Sequence, residues 1–138
     1  MTKKQVKIVN SIEELFNLND EIENLFLLWK IPQQHQYKIL LSVEEIFSNI
    51  VNYAFEDDRD YFIDILFSYD KNILTIEFSD PGKAFNPIIA DASDELNKPL
   101  EERSLGGIGI HIVKSVMNEI YYQRKNDKNI LTLKKSIH

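Results

Sequence analysis

Residues 41–55, LSVEEIFSNIVNYAF, carry the reading on which the fold turns. On a wheel advancing about 100° per residue, Ile39, Leu40, Val43, Ile46, Phe47, Ile50 and Ala54 share one broad apolar face, so the stretch reads as a helix laid on a core. Glu45, Asn49 and Asn52 fall at i, i+4 and i+7 in a narrow arc on the other side, which sets a carboxylate one turn from two carboxamides. A polar stripe on an amphipathic helix commonly faces water. Asn, however, is a poor interior helix residue because its side chain competes for the backbone, and Leu41 and Tyr53 flank the stripe. A partly enclosed site explains both features.

Composition bounds what such a site can be. A chain of 138 residues with 43% apolar content suits one domain, 1–138, that buries about two thirds of its unfolded surface. The absence of cysteine removes disulfides, thiolate metal sites and a cysteine nucleophile, and three scattered histidines do not make a metal site. No apolar run approaches the roughly 20 residues that span a bilayer, and MTKKQVKIVN lacks a signal-peptide core, so a cytoplasmic location is expected. A net charge of −6 argues against nucleic acid or an anionic membrane as partner, because phosphate neutralisation needs a basic surface. The basic group Arg124, Lys125, Lys128, Lys134 and Lys135 reads as a solvated hairpin.

Outward from the central helix, QVKIV at 5–9 alternates and predicts a first strand. Ser11 and Glu14 have capping-box spacing ahead of Ile12, Leu15, Phe16, Leu18, Ile22, Leu25, Phe26 and Trp29, a helical series that ends before Pro32. Two alternating strands, 61–69 and 73–79, are predicted around a turn at Asp70, Lys71 and Asn72, and a second hairpin, 119–125 and 129–135, around Asn126, Asp127 and Lys128.

Two further segments carry chemistry. DPGKAFNP at 80–87 puts a carboxylate, Asp80, at a strand end, and Pro81-Gly82 is the preferred central pair of a type II turn. GGIGIHIVKSV at 106–116 runs glycines directly into an amphipathic helix, whose exposed N–H groups and positive dipole end suit a phosphate chain. Between them, 86–105 has no sustained period and is longer than ordinary connections, which suits a lid.

E-x-x-x-N-x-x-N on a helix, D-x-G after a strand and G-G-x-G at a helix start, in that order, resemble the N, G1 and G2 boxes of the GHKL ATPases. Within that superfamily the single-domain length, the lid ending LEERSLGGIGIHIVK and the terminal hairpin look most like the anti-sigma regulatory factors with serine protein kinase activity. The resemblance covers Val6 to Lys135 and implies a Bergerat-type α/β (α+β) two-layer sandwich, with helices packed on one face of a mixed, mostly antiparallel sheet.

By that resemblance the ligands are ATP and Mg²⁺. Asn49 would hold the metal through its amide oxygen, a hard donor that leaves room for phosphate oxygens and water. Glu45 would be the general base for an attacking hydroxyl, with Asn52 on the same wall. Asp80 would accept from the adenine amino group, with Gly82 and Ala84 beside the ring and Thr132 supporting from the hairpin. Gly106, Gly107 and Gly109 would wrap the phosphates, and Arg103 would reach the γ-phosphate.

Ala84 stands where the G1 box has a second glycine, and no histidine occupies a dimerising hairpin upstream, which sets aside an autophosphorylating histidine kinase. The implied function is serine/threonine phosphorylation of a small anti-sigma-antagonist (STAS-type) partner, with sequestration of a sigma factor by partner switching and a homodimeric state. The alternatives are a nucleotide-dependent binding module without phosphotransfer and a plain GHKL ATPase.

Overall fold

The computed structural model describes residues 2–89 and 106–138. In chain order these form β1 (Thr2–Val9), a 3-10 turn (Ile12–Glu14), α1 (Leu15–Leu28), α2 (Gln33–Tyr53), β2 (Phe62–Asp70), β3 (Ile73–Asp80), a second 3-10 turn (Pro87–Ile89), α3 (Gly106–Val116), β4 (Glu119–Lys125) and β5 (Lys128–Ser136). The lid expected over 86–105 lies outside the described residues from 90 onward.

The central helix is longer than its apolar core, starting at Gln33 directly after Pro32, whose extended ψ of 140° is incompatible with a continuing helix upstream. Ser11 caps the first 3-10 turn by accepting from the Glu13 N–H at 3.3 Å, while Glu14 instead accepts from Asn17 at 3.0 Å. The expected capping box is therefore half made.

The five described strands lie in the order β1-β2-β3-β5-β4 and every ladder is antiparallel. Parallel pairing, expected in part, is absent from these strands because β5 inserts between β3 and β4. Both neighbours run antiparallel to it, so β3 and β4 are parallel to each other without touching. Both hairpins close through two residues, Lys71-Asn72 at φ 51° and 62° and Asn126-Asp127 at φ 54° and 60°. These left-handed pairs form type I′ turns, which match the strand twist. Asp70 and Lys128, read as turn residues, are strand ends.

The three helices of the described residues cover one face of the sheet, and Ile63, Ile65, Phe67, Ile76, Phe78, Leu131 and Leu133 of that face are buried. Ile39, Val43, Ile46, Phe47 and Ile50 of α2 meet them, each at most 1% exposed. Burial of five such side chains contributes roughly 1.5–3 kcal/mol apiece, whereas a buried unpartnered amide costs about 1–3 kcal/mol. The helix can therefore carry a polar site on its flank without losing its seat. Of the basic group expected in solvent, Arg124 and Lys135 turn to the covered face, donating to the Gly82 carbonyl at 2.7 Å and the Val116 carbonyl at 3.2 Å.

Candidate functional site

The polar stripe of α2 faces α3, and its members differ in depth. Glu45 is half-buried, Asn49 is 4% exposed and Asn52 is exposed. A Cβ built at Gly109, in the first turns of α3, would overlap the Glu45 carboxylate, so only glycine lets the two helices close with Glu45 between them. Gly106 and Gly107 open the same helix.

Two buried polar atoms here lack a hydrogen-bond partner among the described residues, Glu45 Oε1 and Asn49 Nδ2. Buried polar groups are almost always paired, and exceptions mark sites completed by something else. The unpartnered carboxylate oxygen suits a hydroxyl or a water as donor, and the unpartnered amide N–H suits a phosphate oxygen. Burial pushes the Glu45 carboxyl above its ordinary value, while the neighbouring Asn49 amide pulls it back toward the charged form. A raised carboxylate is a stronger base, which is what proton abstraction from a hydroxyl requires.

At the end of β3, Asp80 is 2% exposed and one of its two carboxylate oxygens is doubly matched. The Gly82 N–H and the Asn129 amide both donate to its Oδ1, at 2.9 and 3.0 Å. Its Oδ2 has no partner among the described residues and is the oxygen open to a ligand's donor. Burial raises the Asp80 carboxyl, against the Asn129 and Gly82 hydrogen bonds and the Arg124 charge.

Gly82 does not serve a type II turn, since no described glycine has positive φ. It is small because a Cβ there would strike the Ala54 backbone, which caps α2 and accepts from the Lys83 N–H at 2.8 Å. Ala84, beside it, is exposed.

Thr132 is not brought to Asp80. It pairs with Glu77, and strand alternation puts both on the sheet face away from the helices. The β5 residue opposite Asp80 is Asn129, whose role sequence reasoning missed together with those of Tyr122 and Arg124. The available signal was a polar residue in phase with Leu131 and Leu133 on the apolar face of a strand. Arg103 lies outside the described residues.

The donor set fits a hard cation. Asn49 and Glu45 offer an amide and a carboxylate oxygen one turn apart, and Glu45 Oε1 has no partner among the described residues. No trio of His, Asp or Glu able to hold a metal by itself occurs among the described residues, which suits an ion held chiefly by a bound phosphate chain.

Helices on one face of an antiparallel sheet, a carboxylate-carboxamide helix set against a glycine-led one, and a buried aspartate at a strand end together define a GHKL-type ATPase sandwich. The family described as histidine kinase-like ATPase domain matches residues 9–135. The chain belongs to that family, and membership implies ATP as its ligand. It is 26% identical over 112 residues to the serine/threonine-protein kinase BtrW of Bordetella bronchiseptica, covering 81% of this chain and 78% of that protein. Among solved structures it matches the Erythrobacter litoralis EL346 blue-light activated histidine kinase with a TM-score of 0.57 at 18% identity, over 78% of this chain and 32% of the kinase. It also matches the Acinetobacter baumannii histidine kinase AdeS with a TM-score of 0.51 at 15% identity, over 98% of this chain and 69% of that one. These two show the fold, and the chain spans about a third of the light-activated kinase. No helix of the described residues is long and apolar enough to cross a membrane.

Proposed function

We propose that the protein is an ATP- and Mg²⁺-dependent serine/threonine protein kinase acting on a small partner of the anti-sigma-antagonist type. The observation that carries this is Glu45, whose half-buried carboxylate keeps an unpartnered oxygen beside Asn49 and directly under Gly109. A fold that only gripped nucleotide would gain by pairing or removing that group, because burial disfavours its charge. Similarity to a protein named as a serine/threonine kinase supports the same reading.

In this reading Glu45 takes the proton of the attacking serine or threonine hydroxyl. Asn49 holds Mg²⁺ by its amide oxygen, and the ion supplies charge neutralisation along the triphosphate. Asn52, one turn further and exposed, borders the entrance. Asp80 reads the adenine amino group, Gly106, Gly107 and Gly109 surround the phosphates, and Arg103 balances charge at the γ-phosphate. Sequestration of a sigma factor and a homodimeric state follow from the resemblance to anti-sigma regulatory kinases and belong to the same proposal.

The packing of Glu45 on Gly109 also serves a second reading, a nucleotide-dependent binding module in which the carboxylate is structural. One pair of measurements separates them. Calorimetric titration with Mg-ATP is run on wild type and Glu45→Gln, alongside transfer of labelled phosphate to a co-encoded antagonist protein. Retained ATP affinity with lost transfer supports the kinase; transfer unchanged in the variant removes Glu45 as the base, and ATP binding with no transfer by wild type leaves the binding module.

A further inference from the structure

Asn129 is the most fully used polar side chain at the site. Its Nδ2 donates to Asp80 Oδ1 at 3.0 Å and to the Lys83 carbonyl at 2.7 Å, while its Oδ1 accepts from the Phe85 N–H at 3.0 Å and from the Tyr122 hydroxyl at 2.6 Å. These four contacts exhaust what a carboxamide ordinarily makes. They also fix which way it points. A backbone N–H can only donate and a backbone carbonyl can only accept, so Phe85 and Lys83 assign the oxygen and nitrogen ends without ambiguity. Tyr122 reinforces the oxygen end. The Cα of Asn129 stands directly across the ladder from that of Asp80, so side-chain contact follows from register itself.

We propose that Asn129, held in one amide orientation by Phe85, Lys83 and Tyr122, is the positioning residue that makes this pocket select a 6-amino purine over a 6-oxo purine. The inference rests on ATP as the ligand and on Asp80 as the group that meets the base edge. A carboxylate that receives the Asn129 and Gly82 donors on one oxygen is an acceptor only, and it presents the other oxygen to the base. A 6-amino group gives that oxygen a donor. A 6-oxo group gives it a second acceptor, and the two oxygens repel. Without the Asn129 amide, the buried carboxyl loses a donor that favours its charged form and takes up a proton more readily. The neutral acid can then donate to a 6-oxo group, and the discrimination is lost. Tyr122 touches no base in this scheme; it adds a further anchor to an amide that the Phe85 N–H and the Lys83 carbonyl already orient.

The test is calorimetric binding of Mg-ATP and Mg-ITP, which share the phosphates and sugar and differ at the purine 6-position and its adjoining N–H. Wild type, Tyr122→Phe and Asn129→Ala are compared, with circular dichroism confirming that each is folded. The expected result is an ATP preference in wild type of about tenfold or more. Asn129→Ala brings the two affinities close together, and Tyr122→Phe, which leaves the Phe85 and Lys83 contacts in place, lowers the ratio less. A purely structural role would weaken both nucleotides equally and leave the ratio alone. Folded variants that bind ATP with the wild-type ratio overturn the proposal while leaving the ATP pocket standing, as does a wild type with no preference. Wild type binding neither nucleotide removes the pocket assignment itself. Should Asn129→Ala not fold, Asn129→Thr, which removes the amide and keeps a residue suited to a strand, is measured in its place with the same two outcomes.

Discussion

The two ends of the site are built on opposite plans. Around Asp80 the hydrogen bonds are closed: Asn129 uses both ends of its amide, Gly82 and Arg124 are engaged, and the segment from Asp80 to Phe85 is tied to the β4–β5 hairpin at several points. Around Glu45 they are left open, with Glu45 Oε1 and Asn49 Nδ2 buried and unpartnered. The closed end has the rigidity of a recognition surface, where the ligand meets a preset pattern and little ordering cost remains. The open end has the unfinished valences of a place where a ligand completes the protein. A single fold holds both because α2, seated by its apolar face, reaches one end with Ala54 and the other with Glu45.

The two glycines that Cβ atoms would fill sharpen this contrast, and the largest expected effect belongs to the open end. Glu45→Gln is expected to lower phosphotransfer by about 10²–10⁴-fold, the usual contribution of a positioned base, with ATP affinity preserved. Gly109→Ala is expected to do nearly the same by expelling the Glu45 carboxylate. Its stability stays near wild type, because alanine gains about 1 kcal/mol of helix propensity over glycine and the group it displaces is a flexible side chain. Thermal melting with the transfer assay checks both; Gly109→Ala with full transfer would show that Glu45 reaches the site from another position.

Gly82→Ala inverts the pattern. Its Cβ meets the Ala54 backbone, which cannot step aside. A loss of about 1–3 kcal/mol of stability is expected, the scale of overpacking, read as a lower denaturant midpoint. A midpoint unchanged from wild type would mean that the contact between this segment and the end of α2 yields freely. Asn49→Ala is expected to lower Mg-ATP affinity by about tenfold, the scale of one lost charge-assisted contact. Nucleotide binding as tight as wild type would remove Asn49 from the metal role.

What the sequence made legible follows from how far each feature reaches along the chain. Strand alternation and helical spacing are local periodicities, and they found every described strand and α-helix, though not the 3-10 turns nor the start of α2 at Gln33. The Glu45–Asn49 pair is also local, one helical turn apart. All four glycines of the chain, Gly82, Gly106, Gly107 and Gly109, stand in the two segments read as binding elements, so their importance was visible. The reasons for two of them were not. Gly82 answers to Ala54 and Gly109 to Glu45, contacts across separate elements that turn chemistry cannot reveal. Thr132 was misplaced by strand register, since the residue opposite Asp80 is three positions earlier and on the other face. The turns were read one residue too long because Lys-Asn and Asn-Asp lack the glycine that usually announces a two-residue type I′ hairpin.

The smallest expected effect tests whether the open end is truly under desolvation. Burial raises the Glu45 carboxyl above its ordinary 4.5, so the folded protein binds that proton more tightly than the unfolded chain does. The stability this contributes is complete below the ordinary value and is lost as pH rises through the raised folded value. Glu45→Gln has no such proton, and should gain on wild type across that window. Asp80 shifts in the same direction, but it is present in both proteins and cancels in the difference. Melting temperatures of the pair, taken from about pH 4 to about pH 8, should therefore diverge in the variant's favour as pH rises from the ordinary glutamate value. A constant difference would mean that the Glu45 charge is already compensated in the free protein, and the contrast between a closed and an open end would lose its physical basis.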